Sequence, residues 1–228
     1  MTRLSSEERR TALVRAAVRV IARNGLGAAT TRAIVAEARM PLASFHYAFR
    51  SRDEMIRELI AFVVDDEQLA ILASLRPGAD IRSAIRAGVQ AYFDLVVSEP
   101  GREQAMFELL HYSLRTPELA DLPQFQYGSY RRVVTEVLLA GAAHAGIEWS
   151  VPVSDLARLA VALTDGLTLG WLADRDDAAA ARLMDSMADA LAAFARPVET
   201  STSTAPVSTE PVSTAPPTTT VRIKEHSS

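Results

Sequence analysis

Apolar residues recur along most of this chain at intervals of three and four, the spacing that lines one face of a helix. No stretch alternates with the period of two that marks a strand. Leu13, Ala17, Val20 and Ile21 share the face of a first helix. It opens at Ser5-Ser6-Glu7-Glu8, which has capping-box spacing, and stops at Asn24-Gly25. The loop 26–29 leads to a short second helix over 31–38, capped by Thr30. A break at Arg39-Met40-Pro41 precedes a third helix over 41–49, with Pro41 in its first turn. Ser51-Arg52-Asp53-Glu54 is a second capping box and opens a long fourth helix reaching residue 75. Later helices are expected over 80–98, 102–115, 124–145, 154–173 and 178–195, punctuated by Pro, Gly and Asp clusters.

The reading is all-α. A three-helix head with helix-turn-helix spacing occupies residues 1–50, and a long helix joins it to a helical regulatory bundle over 51–196. From 197 to 228 the chain turns to Ser, Thr, Pro and Val, too polar to offset its ordering entropy, and reads as a disordered tail.

Charge sharpens the division. The net charge is only −4, but residues 1–52 hold ten arginines against Glu7, Glu8 and Glu37, an excess of seven positive charges. The remainder carries 14 basic and 25 acidic residues. A short basic head on an acidic body points to a polyanion-binding module attached to something that is not one. Within the head, Ile34, Ala38, Leu42, Phe45 and Phe49 supply a shared core. Thr30, Thr31, Arg32, Ala43, Ser44, His46 and Tyr47 are left facing outward, small or hydrogen-bonding groups suited to a major groove about 12 Å wide.

Catalytic chemistry finds no foothold. The chain has no Cys, its four His (46, 111, 144, 226) lack metal-ligand spacing, and no HExxH, GxSxG or phosphate loop occurs. Neither an enzyme, a metal site nor a cofactor is expected. Asp65-Asp66-Glu67 reads as a solvated acidic face. No signal-peptide pattern is present, and no apolar run reaches the ~18–20 residues of a membrane span. The most apolar stretch is interrupted by Arg158, Asp165 and Gly166. A cytoplasmic location, away from membranes, is expected.

The stretch from Thr30 to Met55 resembles the signature of the TetR (tetracycline-repressor-like) family, roughly T-x-R-x-I-A-x-x-A-G-V-S-x-G-x-[LI]-Y-x-H-F-x-[SN]-K-x-x-L. Thr30, Arg32, Ile34, Ala38, Phe49, Ser51 and Arg52 match it or substitute conservatively. His46 stands where Tyr is usual, Arg52 where Lys is usual, and Met55 where Leu is usual. Two departures stand out. Arg39 replaces the turn Gly, so a strained or differently shaped turn is expected. Leu42-Ala43 replaces a polar or Gly pair, so base readout is expected to lean on apolar contact. The resemblance implies DNA contacts from Arg32, Ser44, His46, Tyr47 and Arg52, with Thr30, Thr31, Leu42 and Ala43 on the same surface. Alternatives stay open: Tyr47 packed on the fourth helix, Arg52 as a plain surface charge, His46 as a satisfied structural histidine.

Residues 165–172 also resemble the family's dimerisation helix, implying a homodimer. Leu156, Leu159, Leu163, Leu167, Leu183, Met187 and Leu191 form the expected interface, core packing being the other reading. Phe93, Met106, Phe107, His111, Tyr127, Tyr130 and Trp171 could line a pocket for a small effector, or simply fill the core. The implied function is a sequence-specific regulator, a repressor released from a near-palindromic operator in double-stranded DNA by a small apolar or aromatic ligand. The competing reading, a helical protein-interaction module, leaves the basic head unexplained.

Overall fold

The computed structural model describes residues 5–198. The first helix, α1, spans Ser6–Asn24. The Ser5 hydroxyl accepts from the Glu8 amide at 3.1 Å, and the Glu8 carboxylate accepts from the Ser5 amide at 2.7 Å, satisfying two orphan donors. Gly25, at φ +79°, ends the helix, and a 3₁₀ turn (Leu26–Ala28) follows. The helix α2 spans Thr31–Glu37, with the Thr30 hydroxyl accepting from the Ala33 amide. The helix α3 spans Leu42–Ala48, and Pro41 caps it rather than entering its first turn. Between them Arg39 takes φ +56°. The turn therefore keeps the left-handed shape a glycine would give it, at a steric cost of ~1–2 kcal/mol for a side-chain-bearing residue.

The long helix α4 is Arg52–Ser74. The Ser51 hydroxyl accepts from the Glu54 amide, but Glu54 reaches past the cap to accept from the amide of Arg50 at 2.8 Å. Next come α5 (Ile81–Ser98), α6 (Pro100–Ser113), α7 (Leu122–Ala145), α8 (Val153–Asp174) and α9 (Asp177–Ala192). Helices α6 and α7 start two residues before the sequence-based boundaries. Pro100 and Pro123 sit in first turns, where a missing N–H costs nothing.

Strands are present after all. β1 (Ile147–Trp149) pairs antiparallel with β2 (Ala195–Pro197), Glu148 opposite Arg196. Three-residue strands are too short to show alternation, so the sequence could not announce them. The ninth helix accordingly stops at Ala192 rather than 195, and Pro197 belongs to the fold rather than to the tail. The expected disorder over 199–228 lies outside the described residues.

One apolar cluster runs through the head into the body. Leu13, Ala17 and Ile21 of α1 meet Ile34, Phe45 and Phe49, then Met55, Leu59 and Val63 of α4, then Leu109 of α6 and Leu122 of α7. Each such side chain contributes roughly 1.5–3 kcal/mol when removed from water. Arg10 adds a polar tie across the head. It donates to the Ala48 carbonyl and to Glu54 and Glu58, with its guanidinium 4.5 Å from the centre of the Phe49 ring. Helix α6 presses against the end of α1, where a Cβ on Gly101 would fall 2.9 Å from that of Ala22. The Glu108 carboxylate accepts from the Leu26 amide at 2.8 Å.

Candidate nucleic-acid interface and inner cavity

The outer face of α3 is open. Leu42, Ala43 and His46 are exposed, Ser44 is half-buried, and Tyr47 is 81% exposed, so its ring does not pack on α4. Phe45, between them, is buried and anchors the helix, with the His46 ring edge-on to it at 5.9 Å. At the start of α2, Thr30 and Arg32 are exposed and Thr31 is half-buried. Arg52 is exposed but donates to the Leu26 carbonyl at 3.0 Å, which makes it a tie to the loop after α1 as well as a surface charge.

The structure sorts the arginines of the head. Arg10 is held by Glu54 and Glu58, Arg19 and Arg23 by Glu37, and Arg15 lies over the Phe62 ring. Arg32 and Arg39 are exposed with no internal partner among the described residues, whereas the exposed Arg50 lends its backbone amide and its charge to Glu54. Arg39 is not among the residues expected at the interface, because sequence alone cannot separate a committed arginine from an idle one.

In the body, a cavity of about 50 Å³ lies among α4, α5, α6, α7 and α8. Met106, Phe107, Tyr127 and Tyr130, four of the seven residues considered for a pocket, line it together with Tyr92, Gln126, Glu67, Glu103 and Asp165. Three expected members are elsewhere. Phe93 and Trp171 stack edge to face at 5.5 Å in a separate core cluster, and His111 is exposed. The acidic run on α4 is likewise not uniformly solvated. Glu67 is only 7% exposed.

The cavity's polar groups form a chain. Arg102 donates to Glu103 at 3.2 Å and to Asp66 at 2.8 Å, and stands 3.9 Å from Glu67. Burial pushes the Glu67 carboxyl well above its ordinary range, reinforced by the neighbouring charge of Glu103. Burial also raises Glu103 and Asp165. Tyr127 donates to Asp165 at 2.7 Å, and Tyr92 pairs with Thr168 at 2.7 Å. A second cavity of about 80 Å³, walled by groups such as Ile85, Leu138 and Trp149, shares Ile71, Val134 and Thr164 with the first.

Helix α8 has two apolar faces. Despite the interruptions at Arg158, Asp165 and Gly166 it is long and apolar enough, by length and composition, to cross a membrane, and 39% of that window is buried within the chain. Of the expected interface, Leu156, Leu167, Met187 and Leu191 are inside the chain's own core. Leu163 is half-buried, and Leu159 and Leu183 are exposed. The open face of α8 instead carries Leu159, Ala162, Gly166, Leu169 and Gly170. A Cβ at either glycine would meet nothing within 4 Å.

Two family models match this chain. One, described as bacterial regulatory proteins of the tetR family, matches residues 13–59; the other, described as a BetI-type transcriptional repressor C-terminal region, matches residues 77–196. The chain is 28% identical over 188 residues to the HTH-type nicotine-responsive transcriptional repressor HdnoR of Paenarthrobacter nicotinovorans, covering 82% of this chain and 96% of that protein. A putative TetR-family transcriptional regulator from Rhodococcus sp. shares the fold at a TM-score of 0.68 and 17% identity, covering 82% of this chain and 98% of that one. The regulator FadR from Bacillus subtilis, solved with stearoyl-CoA, gives 0.64 and 16%, covering 81% and 98%.

Proposed function

We propose, because this chain belongs to the TetR family of bacterial regulatory proteins and is a ligand-responsive transcriptional repressor, that it grips a near-palindromic operator as a homodimer and lets go when a small molecule fills the inner cavity. One observation carries the DNA-binding assignment. The outward side chains of α3, Tyr47 above all, are free of the fold that holds the helix, and the exposed Arg32 and Arg39 belong to the same head. Small groups at Ala43 and Ser44 let the α3 backbone approach base edges, with Leu42 placed for thymine methyls. Thr30, Thr31, His46, Tyr47 and Arg52 serve as phosphate contacts that set the register.

The partner in the dimer is a second copy meeting the open faces of α8 and α9. Leu159, Leu169 and Leu183 supply apolar area there, and Gly166 and Gly170 permit close approach. The pair works in the cytoplasm, where bacterial DNA lies.

Two elements link cavity to head. Helix α4 carries Glu67 in the cavity wall and Met55 and Leu59 in the core of the head. Glu67 lies about 22 Å along α4 from Arg52 at the rise of a helical residue. Helix α6 carries Glu103, Met106 and Phe107 in the wall, and Glu108 at the loop after α1. A ligand that favours one setting of α4 and α6 over another shifts the spacing of two α3 helices, with coupling of ~1–3 kcal/mol in typical cases. HdnoR is named as nicotine-responsive and FadR was solved with stearoyl-CoA, which supports reading this cavity as an effector site.

Selecting bound sequences from random duplexes with the purified protein tests the proposal. A near-palindrome with half-sites one helical turn apart, ~34–36 Å, is expected. An unenriched pool would refute it.

A further inference from the structure

Three carboxyls and a buried amide oxygen line the inner cavity, and most of the hydroxyl and amide donors in its wall are already engaged with partners of their own. Its ionisable carboxyls, Glu67, Glu103 and Asp165, come from three different helices and converge on one small space. A single guanidinium, that of Arg102, stands behind Glu67 and Glu103 and is shared with Asp66. Among the described residues Asp165 accepts only from the hydroxyl of Tyr127. Glu67 accepts no hydrogen bond among the described residues, its one polar contact being the 3.9 Å approach of Arg102.

Gln126 supplies an independent sign. It is 2% exposed and lines the cavity. Its amide nitrogen donates to the Met106 carbonyl at 3.2 Å and to the Tyr130 hydroxyl at 3.0 Å. A backbone carbonyl can only accept, so the amide is fixed with its nitrogen on that side. The oxygen is thereby left buried without a donor. A buried acceptor with no partner is costly, and native proteins rarely keep one without a reason.

We propose that the cavity binds a small organic cation, a protonated amine carrying an apolar group, whose N–H-bearing end sits among Glu67, Asp165 and the Gln126 carbonyl oxygen. The inference rests on the cavity being the effector site and names the chemical class that site accepts. An anion meets three carboxyls, and a neutral apolar molecule leaves Glu67 and Gln126 as they were. A cation supplies what both lack, and the rings of Tyr92, Tyr127 and Tyr130 add faces that attract positive charge. The apolar end has room toward the second cavity, which shares Ile71, Val134 and Thr164 with the first.

Titration calorimetry on the full chain near neutral pH, with benzylamine, benzyl alcohol and phenylacetate as probes, decides the matter. Benzylamine is expected to bind, with neither the neutral nor the anionic analogue doing so at the same concentrations. Glu67→Gln and Asp165→Asn are each expected to weaken benzylamine binding by roughly tenfold or more, the usual effect of losing a charge-assisted contact. No benzylamine binding at millimolar concentration overturns the inference, as does equal binding of the three probes or full affinity in both variants. If benzylamine binds through Glu67 but leaves the operator complex intact, the cation site stands and the effector reading falls. If benzyl alcohol or phenylacetate alone binds and releases the operator, the effector reading stands and the cation assignment falls.

Discussion

The carboxylate of Glu108 on α6 accepts a hydrogen bond from the backbone amide of Leu26, 82 residues earlier, at 2.8 Å. That bond joins a helix of the cavity wall to the loop that closes α1. Glu108→Ala leaves the amide without a protein partner in a partly buried place. A loss of about 1 kcal/mol of unfolding free energy is expected in urea. The more telling result is a weaker ligand effect on operator affinity, while Glu108→Gln, which keeps an acceptor, retains most of it.

Arg39→Gly separates strain from function. Glycine accepts φ +56° without the steric cost an arginine bears. The variant is expected to gain roughly 1 kcal/mol of stability, read as a higher melting temperature. It also loses one exposed charge, so the slope of log affinity against log salt should become shallower by ~1 if Arg39 neutralises a phosphate.

Tyr47→Ala should be invisible to folding and plain in DNA binding. With 81% of the side chain already in solvent, the change in stability is expected to stay within ~0.5 kcal/mol. Operator affinity should fall roughly tenfold, the scale of a lost hydrogen bond to a charged group. Unaltered affinity on a selected operator would remove Tyr47 from the interface.

Two leucines on α8, two residues apart, should behave oppositely. Leu169 is 48% exposed and Leu167 is 1% exposed. Leu169→Asp is expected to yield a folded monomer in sedimentation. Leu167→Ala is expected to cost ~2–5 kcal/mol of stability by leaving a cavity. A dimer that survives Leu169→Asp puts the second copy elsewhere.

The raised carboxyl of Glu67 gives a pH signature without ligand. It faces Asp66 on its own helix and Arg102 and Glu103 on α6. A folded-state value above the ordinary 4.5 means that the folded form holds a proton the unfolded chain releases. Its contribution is therefore fully present below 4.5, where both forms are protonated, and is lost as pH rises from there through the raised folded-state value. Glu67→Gln should be more stable than the parent at neutral pH, with the advantage shrinking toward pH 4.5 in chemical denaturation. A gap that widens on acidification reverses the sign and contradicts the burial.

Much of the fold was legible because local chemistry marks helix ends. Ser5, Thr30 and Ser51 cap where the spacing places them, and Gly25 stops α1. The open face of α3 was legible too, since a seven-residue helix with Phe45 as its anchor has few ways to lie. What sequence could not supply is rotation about a helix axis within the bundle. Neighbours on a helix point about 100° apart, so Glu67 turns inward while Asp65 and Asp66 face out. Phe93 and Met106 looked alike as pocket candidates, and only packing sends one to Trp171 and the other to the cavity. Helix α8 is apolar on nearly every side, so its periodicity could not tell the core stripe of Leu156 and Leu167 from the open stripe of Leu159 and Leu169.

Arg102 grips Asp66 on α4 while its own helix, α6, touches the head at Ala22 and Leu26. The two helices beneath the head are thus tied to each other between the first turn of α6 and the second half of α4. A shift of either helix alone would stretch the contacts of the shared guanidinium. A ligand that holds Glu67 better in one setting of α4 than in another would therefore bear on α6 as well, by no more than its difference in affinity for the two.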